Sequence, residues 1–318
     1  MTLLSVRHVT RYTYRVPVRF GDHRLMFRPR DSFDQRLIEF RLDIVPRPTA
    51  VRWLHDVFGN CVAVAQFAGQ ADELVSDTNI VLDHEPTHAP DFTLETFAQT
   101  YPFDYASEEM PDLVRLIERQ YPDPDRRVDA WARQLMPRGR RLRTGRLLMT
   151  LTAAIKESFV YVSRPERGTQ DPAHTLLTKR GSCRDFALLM MEAVRALGFA
   201  ARFVTGYLHI PSKATDGFQG GGHTHAWCQV YLPGAGWVEF DPTNGIVGNR
   251  NLIRVGVARD PRQALPLSGT FIGDAADASG MTVSVETREI RAEQGAGISS
   301  LAKPALASTL SHVNVPAS

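Results

Sequence analysis

The sequence predicts a chain of two textures: a β-sandwich-like domain over residues 1–90, then a mixed helix-and-strand domain over 91–290, with a tail over 291–318. Three observations carry this reading. Short β-branched and aromatic runs separated by turn residues fill the first ninety positions. Apolar residues then recur at three- and four-residue steps. Finally, an apolar helical stripe behind a cysteine is followed by two strand-like runs around Pro233-Gly234.

The first strands are read at Val9–Tyr14, Leu37–Ile44 and Cys61–Val64, with Pro, Gly, Asn and Asp between them, as in a β-sandwich. Asp56–Asn60 is a turn signal. His8, His23 and His55 are dispersed, so no chemical site is expected here. Cys61, at a strand start, is expected to be a small core residue. A proline-containing stretch runs from His84 to Tyr105. Helices are read at Pro111–Gln120, Arg126–Leu135 and Gly145–Phe159. Arg138, Arg140, Arg141, Arg143 and Arg146 form a basic cluster, read as a solvated loop. From Glu293 the chain is rich in Ala, Ser and Gly and reads as a mobile tail or an arm on a partner subunit.

The 318 residues allow one large or two medium domains. With 43% apolar and 23% charged residues, a fibrous or wholly disordered chain is excluded. A net charge of +2 argues against a dedicated nucleic-acid binder. Three scattered cysteines form no disulfide framework, which fits a reducing compartment. Residues Met1–His8 lack the pattern of a secretory leader. The apolar run Phe186–Met191 falls far short of the ~20 residues a membrane span needs. A soluble, cytoplasmic protein with no membrane partner is expected.

The chemistry concentrates in two stretches. In Arg180-Gly181-Ser182-Cys183-Arg184-Asp185-Phe186, Ser182 is a good N-cap and Asp185 completes a capping-box pattern. Phe186, Leu189, Met190, Ala193, Val194 and Leu197 form the buried stripe, and Gly198 marks the helix stop. Cys183 thus falls in the first turn, where free amides and the helix dipole favour thiolate, the nucleophilic form. In the strand His223–Leu232, alternate residues share a face, so His223, His225, Trp227 and Gln229 lie together and Cys228 faces away. An odd-length hairpin loop centred on Pro233 would put Asp241 directly opposite His225, close enough to hold the imidazole. A helix-start cysteine, a histidine and an orienting aspartate are the minimal kit for thiol acyl transfer. No Cys-x-x-Cys pair accompanies the histidines, and no dinucleotide or phosphate loop appears, so no metal or cofactor is expected.

These residues resemble the bacterial transglutaminase-like cysteine hydrolases of the transglutaminase and papain-like superfamily. The resemblance rests on Arg180–Ala187, Ala196–Tyr207, His225-Ala226-Trp227 and Trp237–Asn244. Residues 1–90 look like the β-rich region that precedes the core in many bacterial members. The resemblance implies an α+β, papain-like core with a central helix on an antiparallel sheet, with Cys183 as nucleophile, His225 as base and Asp241 as orienting acid. His225 is preferred over His223 because it precedes Ala226-Trp227. Tyr161 matches a tyrosine ahead of the nucleophile in similar proteins, and is either an oxyanion donor or a core aromatic at a helix end. The glycine-bearing stretch Pro211–Gly222 reads as a loop beside the site. The expected activity is hydrolysis of peptide or amide bonds through an acyl-enzyme. The alternatives are protein-glutamine transamidation or a binding module without chemistry. The expected partner is a peptide or protein substrate, with a homo-oligomer as a further option.

Overall fold

The computed structural model describes residues 2–85, 93–136, 141–164, 166–211 and 218–290. Five strands open the chain: β1 (Thr2–Leu25), β2 (Gln35–Val45), β3 (Ala50–His55), β4 (Cys61–Gln66) and β5 (Ala71–His84). The alternation read at Val9–Tyr14 belongs to the 24-residue β1, whose inward positions Leu4, Val6, His8 and Thr10 are buried. The first part of β1 pairs with β5, and its end, His23–Leu25, pairs with β4. The strand order is therefore β2-β5-β1-β4-β3, with every ladder antiparallel. Cys61 is half-buried and pairs with His55 at the end of the β3–β4 ladder, rather than sitting in the core.

The second part begins with β6 (Thr100–Tyr101), α1 (Met110–Ile117) and α2 (Arg127–Gln134), followed by β7 (Leu142–Arg143), α3 (Thr144–Ser158) and β8 (Val160–Tyr161). Next come α4 (Pro172–Thr178), β9 (Arg180–Gly181) and α5 (Cys183–Ala196). The sheet strands β10 (Ala201–Leu208), β11 (His225–Leu232), β12 (Gly236–Asp241), β13 (Ile246–Val247) and β14 (Leu252–Ala258) complete the core, in the order β13-β12-β11-β10-β14. The architecture is the α+β arrangement the sequence implies, with a central helix on an antiparallel sheet. Part of the basic cluster, Arg138 and Arg140, lies outside the described residues, as does the tail over 291–318. Among the described residues no helix is long and apolar enough to cross a membrane.

Helix α5 is wrapped on every side. The stripe read from sequence packs with Leu147, Leu148 and Leu151 of α3 and with Ala226, Cys228 and Val230 of β11. Its polar positions Glu192 and Arg195 are also buried, and they pair at 3.0 Å. Arg119 donates to Glu192 at 2.7 Å, and Arg195 donates to the carbonyls of Leu116, Ala201 and Arg259. A buried ion pair is tolerated only when its remaining hydrogen-bond groups are satisfied in this way.

The first sheet does not stop at residue 90. Two late strands, β15 (Leu267–Ile272) and β16 (Ala278–Glu289), return to β1, with Leu4 opposite Glu289 and Leu25 opposite Leu267. Both ends of the described chain thus build one β unit around the core. The sequence boundary missed this because strand pairing over such separations leaves no local signal.

Strand β14 is an edge of the core sheet, and the β unit covers that edge with side-chain amides. Gln35 donates to the Arg254 carbonyl at 2.8 Å and accepts from the Arg254 N–H at 2.9 Å. Asn60 does the same at Val257, with distances of 2.7 and 2.9 Å. Each amide imitates one residue of a missing strand, which is how an open edge is closed without another strand. The three-residue step between Arg254 and Val257 follows from the register break opposite Thr205/Gly206. There Gly206 is required, because a Cβ would lie 2.0 Å from the Ile253 carbonyl oxygen.

Replacing Asn60 by Ala leaves the Val257 N–H and C=O unpaired at a buried contact. The expected loss is roughly 1–3 kcal/mol, read as a lower urea midpoint with an unchanged slope. An unchanged midpoint would show that the edge needs no such cover.

Candidate active site

The site begins at the start of α5. The Asp185 carboxylate accepts from the Ser182 backbone N–H at 2.7 Å and from the Ser182 hydroxyl at 2.8 Å. It also accepts from the Gln170 N–H at 2.7 Å and pairs with Arg164 at 2.9 Å. The capping pattern read from sequence therefore does more than end a helix: it ties Arg164 and Gln170 to the turn that carries Cys183. Burial would raise the Asp185 carboxyl, but the hydrogen bonds from Gln170 and Ser182 and the Arg164 charge hold it below the usual range. Cys183 is buried and keeps 7% of its surface exposed.

The histidine and the acid come from the β11–β12 hairpin. Cys228 pairs with Phe240 and Leu232 with Gly236, so the three-residue loop is centred on Gly234 rather than Pro233. This register sets Asp241 diagonal to His225 instead of directly opposite. The displacement is two residues, so both stay on one sheet face, and a diagonal pair remains within reach of an imidazole. His225 Nε2 donates to Asp241 Oδ2 at 2.8 Å, with both side chains fully buried. Trp227, two residues on, stacks on the imidazole with ring centroids 5.9 Å apart.

Strand alternation holds along β11. Ala226, Cys228, Val230 and Leu232 pack under α5, while Trp227 joins Val204, Leu208 and Leu252 on the opposite face. Burial pushes the Cys228 thiol well up, and its Sγ donates to the Phe240 carbonyl at 3.4 Å. His223 does not share the strand: it is exposed in the turn before β11, because the ladder starts only at His225. Glu239, on the acid's own strand, is held by Gln229 and Arg254, away from the imidazole.

Electrostatically, the pair is strongly coupled. Burial would raise the Asp241 carboxyl, but His225, the Asn244 side chain and the Thr243 N–H hold it below the usual range. Burial would lower the imidazole, yet the Asp241 charge and hydrogen bond, with a smaller contribution from Cys183, raise it well above its ordinary value. Nδ1 of His225 is buried and has no hydrogen-bond partner among the described residues. The ring therefore presents one nitrogen to Asp241 and leaves the other without a hydrogen bond among the described residues.

Tyr161 enters through β8, which pairs in parallel with β9 so that Tyr161 lies beside Gly181. Burial pushes its hydroxyl up to about 12, and the Cys183 and Asp241 groups act in the same direction. The structure thus brings Tyr161 to the cysteine's neighbourhood on a short strand rather than at a helix end. Of the loop Pro211–Gly222, residues 212–217 lie outside the described residues. The remainder reaches the site: Gly220, at φ +88°, would carry a Cβ 2.8 Å from His225 Nδ1. Asn244 donates to Asp241 Oδ2 at 2.8 Å. In the sequence, Asn244 is marked only by its closeness to Asp241 in the turn after β12.

Residues 4–83 match the family model of the bacterial transglutaminase-like N-terminal region, and residues 131–242 match that of the transglutaminase-like superfamily. An uncharacterized Mycobacterium leprae protein is 26% identical over 280 residues, covering 87% of this chain and 95% of that protein. A Pseudomonas aeruginosa protein-glutamine γ-glutamyltransferase is 27% identical over 128 residues, covering 37% of this chain and 18% of its own length. A Cytophaga hutchinsonii crystal structure, provisionally described as a cysteine protease, shares the fold. Its TM-score is 0.65 at 17% identity, with 91% of this chain and 92% of that chain covered.

The raised imidazole has a linkage consequence. A basic group whose folded-state pKa is raised stabilises the fold fully below its unfolded value, near 6.5 for imidazole. That stability drains away as pH climbs through the folded value. Urea unfolding of the protein should therefore show a falling contribution from His225 between pH 7 and 9, and Asp241→Asn should abolish that slope. Identical pH slopes in the two proteins would contradict the coupling.

Proposed function

We propose that this chain, which carries the transglutaminase-like superfamily core over residues 131–242 and the bacterial transglutaminase-like N-terminal region over 4–83, is a thiol-dependent acyl-transfer enzyme acting on peptide or amide bonds. The observation that carries the reading is the buried 2.8 Å His225–Asp241 pair, whose free imidazole nitrogen accompanies a cysteine at a helix start. With the thiol proton already carried by the His225 imidazolium, Cys183 Sγ attacks the carbonyl carbon. The C–N bond then breaks, the leaving amine takes the proton from the imidazolium, and a thioester remains on Cys183. Attack by water on the thioester, assisted by the same imidazole, releases the acid. Asp241 fixes the tautomer and balances the imidazolium charge. The oxyanion is met by the Cys183 N–H, which has no intrahelical acceptor at a first-turn position, and by the Tyr161 hydroxyl.

Hydrolysis is the preferred outcome, with a peptide or protein as substrate. An amine acceptor in place of water would give transamidation, a reading favoured by the relative named as a protein-glutamine γ-glutamyltransferase. The three free cysteines support a reducing, cytoplasmic setting.

Two measurements test the reading. A peptide library incubated with the protein, with and without a primary amine, separates cleavage from amine incorporation. Cys183→Ala should abolish both, and Asp241→Asn should lower kcat/KM by up to about 10⁴-fold, the loss seen for the acid of a serine triad. The double variant should be no worse than Cys183→Ala, because the groups act as a unit. Turnover by Cys183→Ala would remove the proposed nucleophile, and a fully active Asp241→Asn would remove the proposed acid.

A further inference from the structure

The imidazole of His225 is bracketed from both ends by the chain. At Nε2 stands Asp241, and against Nδ1 stands the Gly220 peptide, close enough that only a residue without Cβ fits. One side chain connects the two. Asn244 Oδ1 accepts from the Gln219 N–H at 2.7 Å, and Asn244 Nδ2 donates to the Gln219 carbonyl at 3.2 Å and to Asp241 Oδ2 at 2.8 Å. A carboxamide has two N–H hydrogens, and these two acceptors use both. The 3.4 Å approach of Nδ2 to His225 Nε2 is then packing, because that ring nitrogen donates to Asp241. Rotating the amide by a half-turn would set its oxygen against the carboxylate and its NH₂ against the Gln219 N–H, so this orientation is the one the network permits. At its far end the segment is held by Val285 of β16, whose N–H donates to the Gly222 carbonyl at 2.9 Å.

We propose that Asn244 is a positioning residue of this site: it clamps the Gln219 backbone to the Asp241 carboxylate and thereby sets the Gly220 peptide against the reactive nitrogen of His225. The proposal rests on the acyl-transfer reading above. With the clamp closed, the imidazole cannot tilt toward Gly220, so Nδ1 keeps one direction of approach, the one the thiol uses. Without it, Asp241 loses a donor, the 219–220 segment loses its anchor on the acid, and the ring gains freedom. The charged and ionisable groups that act on the imidazole are Asp241 on β12 and Cys183 on α5.

The test is the pH–rate profile for alkylation of Cys183 by iodoacetamide, with each cysteine followed by mass spectrometry. A free thiol is protonated near pH 6 and largely ionised near pH 9, so the low-pH rate is the one that reports help from the imidazole. Asn244→Ala should slow the pH 6 reaction about tenfold, a modest value for loosened geometry, and leave the pH 9 rate within about twofold. Gln219→Pro removes the N–H that Asn244 accepts and should reproduce the effect. It lies at an exposed position, so it decides the matter if Asn244→Ala fails to fold. A wild-type pH 6 rate in a folded Asn244→Ala or in Gln219→Pro overturns the clamp. If the unaltered protein's Cys183 reacts at pH 6 no faster than Cys61, the acyl-transfer reading fails instead.

Discussion

A carboxylate ionised in the buried interior is the constraint around which this structure is arranged. Asp241 has no exposed surface, and an isolated charge there would be neutralised or excluded. It remains an acceptor because donors converge on both of its oxygens. His225 and Asn244 address Oδ2, while the Thr243 N–H addresses Oδ1 at 2.9 Å. Every donor comes from the β11–β12 hairpin or from the turn that follows it. A short stretch of chain thus supplies the charge, its counter-charge and the frame that orients them.

Much of this was legible before any coordinates. The helix start at Ser182, the buried stripe behind it and the strand parity that separates His225 from Cys228 all follow from local periodicity. The hairpin register differs by two residues from the one expected, because loop length selects the register and Pro233-Gly234-Ala235-Gly236 is compatible with more than one loop. The error left the side-chain faces unchanged, because a two-residue slip preserves parity whereas a one-residue slip reverses it. His223 was drawn into the strand by the same alternation, although pairing with β10 begins opposite Gly206 at His225. Asn244 and Gly220 could not be ranked from sequence, since their importance lies in contacts between a turn and a loop.

Three carboxamides recur in one role. Gln35 on Arg254, Asn60 on Val257 and Asn244 on Gln219 each pair with both the N–H and the C=O of a single residue. Side-chain amides reproduce the donor and acceptor of a peptide unit. They therefore join segments that no backbone ladder pairs. Two of these joints hold the β unit to the edge of the core sheet. The third holds a loop to the acid.

The pairing of β1 with β16 also sets an order of events during biosynthesis. As the chain leaves the ribosome, β5 can cover one side of β1 early, but the other side waits for residues 278–289. At about 5–20 residues per second, the ~200 residues between β5 and β16 take on the order of 10–40 s to emerge. For that interval β1 presents an open strand edge, an invitation to pair with a neighbouring nascent chain. The Gly222 carbonyl also gains its partner, Val285, only when β16 docks. The loop over His225 therefore gains its Gly222 anchor among the last events of synthesis, and a chain interrupted between residues 244 and 285 carries Cys183, His225 and Asp241 without it.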